Sequence, residues 1–341
     1  MGNDLMSGTL KIHRAGPTMT VQDLGRPGHM ANGLSCGGAA DRTALAEGAA
    51  LLGQDITCAA LEMAGVGGEF EVTTDARIAL TGAPMKASLD GQALAWNASH
   101  MITAGQRLSI GPTLSGTYGY LHIGGGIATP AFLNSRAAHL AAGIGAVIQA
   151  GDALALGTDP RPDMVGQKLA IDNRFNGGMV RILPSVQTAR FSQEMLARFQ
   201  STTFSRTPRG NRQGIELAFD GAPFASQDQL TILSEPMMAG DIQMTGTGIP
   251  FVLLPECQTT GGYPRIGTVL PDDLPLVAQA TPSAKLTFRF IDHSEATAVH
   301  RSPSLRVKEL ASQLQPLIRD PLTMRDLLSY QLISGMITGR E

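Results

Sequence analysis

Two stretches of the chain carry side chains suited to recognising an amide beside an anion. The first, "ECQTTGGYPRIGT" from Glu256 to Thr268, sets Gln258, Thr259, Thr260, Tyr263 and Arg265 on a glycine-softened turn just after the apolar run "PFVLLP". The second, "TVQDLGRPG", places Gln22, Asp23 and Arg26 ahead of a Pro-Gly turn. A glutamine amide pairs at two points with another amide, donor to acceptor, and an arginine grips a carboxylate or phosphate. Asp23 and Arg26, three apart, can equally pair with each other. Arg136 in "NSRAAH", Gln243 in "SEPMMAGDIQMTGTGIP" and Asp41, behind the glycines of "SCGGAADR", extend the set. Such a kit suits positioning and charge stabilisation more than covalent catalysis.

Other chemistries find little support. No G-x-S-x-G frames a serine nucleophile, and the 7 histidines are isolated, with no H-x-x-x-H or H-x-E for a metal. Cys36, Cys58 and Cys257 are an odd number at wide spacing, which makes neither a disulfide framework nor a C-x-x-C site. Neither a G-x-x-x-x-G-K-[ST] nor a G-x-G-x-x-G loop occurs. The net charge is −3 with scattered basic residues, so neither a nucleic-acid footprint nor a membrane-surface patch is indicated. No apolar run reaches the roughly 18 residues of a membrane span, and the first residues lack a signal pattern, so cytoplasm is the default.

The elements that must position these groups read as short strands joined by turns. The chain has 40 glycines, 20 prolines and only 16% charged residues, which disfavours long solvated helices. Strands are expected at Thr9–His13, Glu69–Val72, Ile78–Thr81, Arg107–Ile110, Tyr118–Ile123, Val180–Leu183, Gly214–Leu217, Thr231–Leu233, Phe251–Leu254 and Lys285–Ile291. In "ASLDGQAL", Asp90-Gly91 fits a type I′ hairpin turn. "AADRTALAEGAALLG" reads as a helix that Asp41 caps and Gly53 ends, and "SQEMLARFQS" as a second, short one. His122, on one strand face with Tyr118 and Tyr120, reads as part of a half-buried surface.

At 341 residues the chain suits about two domains. Residues 8–160 are expected to form a β-rich domain, the Gly-, Pro- and Asp-rich stretch 161–178 a linker, and residues 179–296 a second β-rich domain. A helical tail over 303–338 follows, with starts at Pro303 and at Asp320-Pro321 and an apolar stripe of Met324, Leu328, Leu332 and Met336.

"TVQDLGRPG", "GGAADR", Leu61-Glu62, "ALTGAP", "YLHIGGGI", "SEPMMAGDIQ", "QTTGGYPRI" and "DDLPLVAQ" stand in an order and spacing similar to the biotin-dependent carboxyltransferase domain family. This is the family of allophanate hydrolase subunit 2, the corresponding part of urea carboxylase, and the C-type subunit of 5-oxoprolinase. The resemblance implies a mainly β architecture with short helices and a cyclophilin-like barrel. It also implies a companion carboxyltransferase-domain subunit, of the B type or the allophanate hydrolase subunit 1 type, that completes the site. In the lactam-opening members an A-type subunit joins the pair. ATP would be used with those partners, and biotin would arrive on a separate protein in the carboxyl-transfer members. "APMKAS" lacks the second Met of a biotin-attachment hairpin. The implied function is a subunit of a hetero-oligomeric enzyme acting on an amide or lactam, first the ATP-dependent opening of 5-oxoproline to glutamate. Carboxyl transfer from carboxybiotin to a urea-like amide, and non-catalytic sequestration of a kinase-inhibiting protein, are the alternatives.

Within that frame Asp23, Asp41 and Arg265 are the expected catalytic residues. Gln22, Arg26, Arg136, Gln243, Gln258, Thr259, Thr260 and Tyr263 are expected to bind the substrate. Four positions depart from the family pattern: Ala137 and Ala138 replace Ser-Thr, Val147 replaces an arginine, and Glu216 stands where a second arginine belongs.

Overall fold

The computed structural model describes residues 8–224 and 233–318. Its architecture is mainly β with few, short helices and a closed barrel, in line with the expectation. The first half builds one sheet and most of a second, to which a strand from beyond the barrel adds an edge. One has six strands in the order Ala153–Leu156, Gly8–Arg14, Glu69–Val72, Arg107–Thr113, Met85–Leu89 and Gln92–Ala93. The other runs Thr20–Gln22, Ala60–Ala64, Tyr118–Ile123, Ala76–Gly82, Ala98–Ile102, Gln167–Lys168 and Gln315–Pro316. Leu10, Ile12 and Phe70 of the first sheet and Ile78, Leu80 and Leu121 of the second join one apolar core. Lys11 and His13, alternating with Leu10 and Ile12, face out, as a two-residue period requires. The Asp90-Gly91 turn has φ of 48° and 84°, both left-handed, as a type I′ hairpin demands.

Helix α1, Arg42–Leu52, starts and stops where its sequence says: Asp41 Oδ1 accepts from the Ala44 N–H at 3.0 Å, and Gly53 is left-handed at φ 58°. Ten of its 11 residues are buried, so it is a core helix with no solvent stripe. It lies against the strand Ala76–Gly82, where its Gly48 leaves room for the His122 ring.

The second half closes a seven-stranded barrel in the order Gly177–Leu183, Arg265–Val269, Asp241–Met244, Pro250–Leu253, Gly214–Ala218, Phe204–Asn211 and Lys285–Phe290. The ring closes by parallel pairing of Gly177–Leu183 with Lys285–Phe290. Helix α2, Gln193–Ser201, capped by Ser192, contributes Phe199 to an aromatic cluster. The Phe199 ring centre lies 4.9 Å from Phe204 and 5.2 Å from Phe288, within the range for favourable ring contacts. Ala44, Leu45 and Tyr120 of the first half share one apolar cluster with Val180, Ile215 and Phe288 of the barrel, so apolar packing joins the halves.

The stretch 161–178 takes part in the packing. Gln167–Lys168 pairs with the Ala98–Ile102 strand, and Arg174 is buried at the seam. Beyond the barrel, α3 (Leu274–Gln279) and α4 (His293–Val299) lie on either side of the Lys285–Phe290 strand in sequence. Helix α5, Pro303–Ala311, capped by Ser302, packs on α1. The second expected tail helix, with Met324 to Met336, lies outside the described residues, as do Thr231 and Ile232 of one expected strand.

Candidate active site

A continuous buried polar network crosses the seam. At one end Arg174 donates from Nη1 and Nη2 to the two oxygens of Glu47 at 2.9 and 2.7 Å, and from Nε to Asp41 Oδ2 at 2.8 Å. Gln279 of α3 donates to the same Asp41 oxygen and to the Tyr118 carbonyl, both at 2.8 Å, while its Oε1 accepts from the Thr117 and Tyr118 N–H groups. The Asp41 N–H donates to the Tyr120 hydroxyl, which donates to Glu62 Oε2 at 2.6 Å. Arg212 then bonds Glu62 Oε1, donates through Nε to Glu256 Oε1 at 2.6 Å, and reaches the Gly38 carbonyl. Burial acts to lower the Arg212 pKa, but the Glu62 and Glu256 carboxylates outweigh it and raise the value. Every charged member has a partner of opposite sign, which is the condition for tolerating buried charge.

This network surfaces in a cleft of about 440 Å³ between the halves. Tyr118 and Thr117 enter it from the head of one sheet strand, Ala64 from its neighbour, and Leu140 and Ala141 from a short loop helix. The barrel supplies Arg206, Gly210 and Asn211 from the Phe204–Asn211 strand, then Arg212, Gln213 and Glu256. That strand's pairing shifts between Arg206 and Gly210, an irregularity of the kind that re-aims side chains beside a site. The Tyr118 phenol is pushed up to about 12 by burial and by the Glu62 charge, so it stays protonated at neutral pH. Glu256 Oε2 accepts from the Ala141 N–H at 3.1 Å and lies 3.9 Å from His139 Nδ1, whose Nε2 is 2.8 Å from Ser35 Oγ. The cleft thus offers carboxylate, guanidinium, phenol and amide groups, a set chemically able to orient an amide and stabilise charge developing on it.

A second groove of about 290 Å³ shares Gly210, Asn211 and Gln213 with the cleft and continues to Gln243 and Gln258. Gln258 Nε2 donates to Gln243 Oε1 at 3.1 Å. Gly261 lies against Gln243, and a side chain there would meet its Nε2 at 3.2 Å. Thr259 and Thr260 continue the same turn, and Tyr263 stands half-exposed beside Gly246.

The remaining expected residues fall into three places. Asp23 accepts from the Gly25 N–H, Ser135 Oγ and the Arg136 N–H, and makes no direct bond to Arg26. Arg26, 1% exposed, donates to the carbonyls of Phe132, Ser135 and Ala137, one of the departed positions. Gln22 donates to Thr20 Oγ1 and the Ala138 carbonyl. Arg136 turns away to the Thr129 carbonyl and a separate pocket beside Cys58. Arg265 is taken up within the barrel by Glu235 at 2.6 Å, Asp241 at 3.2 Å and the Pro236 carbonyl. Asp41 sits at the deep end of the network as the cap of α1.

Four cleft or network residues are not singled out by sequence: Glu62, Arg206, Arg212 and Glu256 as a set. The quoted motif residues Leu61-Glu62 and the Arg-x-Gly at Arg212 are the available signals. Among the described residues no group of three or more His, Cys, Asp or Glu is placed to hold a metal ion, and no helix is long and apolar enough to cross a membrane.

Residues 32–290 match the family described as carboxyltransferase domain, subdomain A and B. The chain is 32% identical over 310 residues to the C-type subunit of 5-oxoprolinase from Escherichia coli, covering 89% of this chain and 98% of that one. It is 30% identical over 295 residues to the corresponding 5-oxoprolinase subunit of Haemophilus influenzae, covering 85% and 94%. The crystal structure of the K. lactis urea amidolyase superposes with a TM-score of 0.79 at 21% identity, over 92% of this chain and 21% of that one, and shows the shared fold. The chain belongs to the carboxyltransferase domain family.

Proposed function

We propose that this carboxyltransferase-domain chain is the C-type subunit of a 5-oxoprolinase-like complex, and that the cleft between its halves holds the lactam. The observation that carries the reading is end-to-end similarity, at 32% identity, to a protein whose whole length is that subunit. The cleft supports it chemically. Glu256, held by Arg212, accepts the N–H of an amide, while the protonated Tyr118 and the Asn211 amide donate to its carbonyl oxygen. Activation of the carbonyl by ATP falls to the assembled complex, since the chain has no glycine-rich phosphate loop of its own. Companion subunits close the open side of the cleft.

The test is ATP hydrolysis by the chain co-purified with its companion subunits, with and without 5-oxoproline. Lactam-stimulated hydrolysis with release of glutamate supports the reading. A stable complex in which urea and a biotin carrier, and not the lactam, stimulate turnover moves the chain to carboxyl transfer, the reading that the family description favours.

A further inference from the structure

Arg206 differs from the other buried arginines at the seam. Arg212 is shared between Glu62 and Glu256, and Arg174 among Asp41, Glu47 and Asp172. Arg206 is 8% exposed, yet among the described residues no carboxylate pairs with it. Its Nη1 donates to Thr117 Oγ1 at 2.7 Å and to the Ala280 carbonyl. Its buried Nε has no hydrogen-bond partner among the described residues. Burial lowers its pKa, and the chief opposing charge is the Tyr118 phenol, which is itself protonated at neutral pH.

An uncompensated guanidinium this deep costs stability unless something supplies the missing anion. The structure leaves room for one. Arg206 lines the cleft, and its Nη2 lies beside Gly210, where a side chain would come within 3.4 Å of it. Gly210 itself puts no side chain against this nitrogen. Charge in the cleft is accordingly divided. The Arg212 end, with two carboxylates to one guanidinium, is net negative, and the Arg206 end is net positive. Arg26 also has an unpartnered nitrogen, but it is enclosed by loop carbonyls and lines none of the cavities described above.

We propose that Arg206 anchors a carboxylate on the amide substrate and so selects anionic amides over neutral ones. The inference rests on the lactam reading above and adds the residue that sets substrate class. The Nη2 of the guanidinium meets the carboxylate, and the amide end of the molecule is thereby turned toward Glu256. A neutral amide of the same shape gains nothing at Arg206 and leaves its charge unpaired.

Calorimetric titration of the chain in complex with its companion subunits, with 5-oxoproline and with 2-pyrrolidinone, the same lactam without the carboxylate, tests this. The wild type is expected to prefer 5-oxoproline by about tenfold or more, the size of one charged hydrogen-bonded contact. Arg206→Gln is expected to bring 5-oxoproline down to the level of 2-pyrrolidinone, leave 2-pyrrolidinone unchanged, and melt no earlier than the wild type. Arg206→Lys, which keeps the charge and loses the fork, is expected to fall between the two, and it carries the test if the glutamine variant does not fold. Equal wild-type affinities, or a preference that persists in Arg206→Gln, overturns the anchor while the cleft reading stands. Binding of urea with no binding of either lactam overturns the lactam reading and the anchor together.

Discussion

The Nε of Arg212 lies 2.6 Å from a carboxylate oxygen of Glu256, and the same guanidinium bonds Glu62 from the other half of the molecule. One cation therefore ties two acids across the seam. Arg212→Ala leaves both buried carboxylates without it and is expected to cost about 3–5 kcal/mol of stability. Urea unfolding monitored by circular dichroism measures this. A loss under about 1 kcal/mol contradicts the assigned pairing.

His122 gives the chain an acid-side pH dependence. Burial holds its pKa down to about 3, its Nε2 is 2.8 Å from Thr81 Oγ1, and the α1 backbone at Gly48 covers the ring. Its folded value lies below the unfolded one, so the native state binds fewer protons. The stability is fully present above about pH 6.5 and declines as pH falls toward 3. Between pH 7 and pH 5 the loss from this residue is about 2 kcal/mol. The difference between wild type and His122→Gln, taken at both pH values, isolates it. Parallel pH dependences in the two proteins count against the account.

Gly48 sits inside a helix, where alanine usually stabilises by about 1 kcal/mol. Here a Cβ would stand 2.3 Å from the buried His122 ring, which has nowhere to go. Gly48→Ala is expected to destabilise by about 1–3 kcal/mol. The double variant with His122→Ala is expected to recover the clash term, and a double-mutant cycle showing additivity would contradict the contact.

Arg265 is held by Glu235, Asp241 and the Pro236 carbonyl, which fastens the short Glu235–Pro236 strand onto the barrel. Arg265→Ala is expected to lower stability by about 3 kcal/mol, since Asp241 is left buried and unpaired. Turnover per folded molecule is expected to hold. A fully folded variant with lost turnover would place Arg265 in the chemistry instead.

Local signals in the sequence are decisive where one residue type settles a backbone choice. Asp41 and Gly53 bound α1, Ser192 opens α2, and Asp90-Gly91 turns its hairpin, because capping and left-handed φ are properties of single side chains. The strands Glu69–Val72 and Tyr118–Ile123 fall where their apolar runs indicate. The Ala60–Ala64 strand "ALEMA" and the Phe204–Asn211 strand "FSRTPRGN" carry helix-favouring or turn-favouring residues, and their pairing partners override that preference. Arg174 stands in a stretch with the composition of a linker, yet its burial depends on Asp41 and Glu47, more than a hundred residues away. The cleft is hidden for the same reason. That Arg206 lacks an acid while Arg212 has two is a property of packing, and no spacing along the chain records it.

The central claim, that the lactam reacts in the cleft beside Glu256, is tested most directly by 5-oxoproline-stimulated ATP turnover of the assembled complex carrying Glu256→Gln. The substitution keeps the shape and the Arg212–Glu62 pair while removing the acceptor charge. Turnover is expected to fall at least about a hundredfold with the complex still assembled by gel filtration. Turnover within about twofold of the wild type in an intact complex would place the reaction elsewhere.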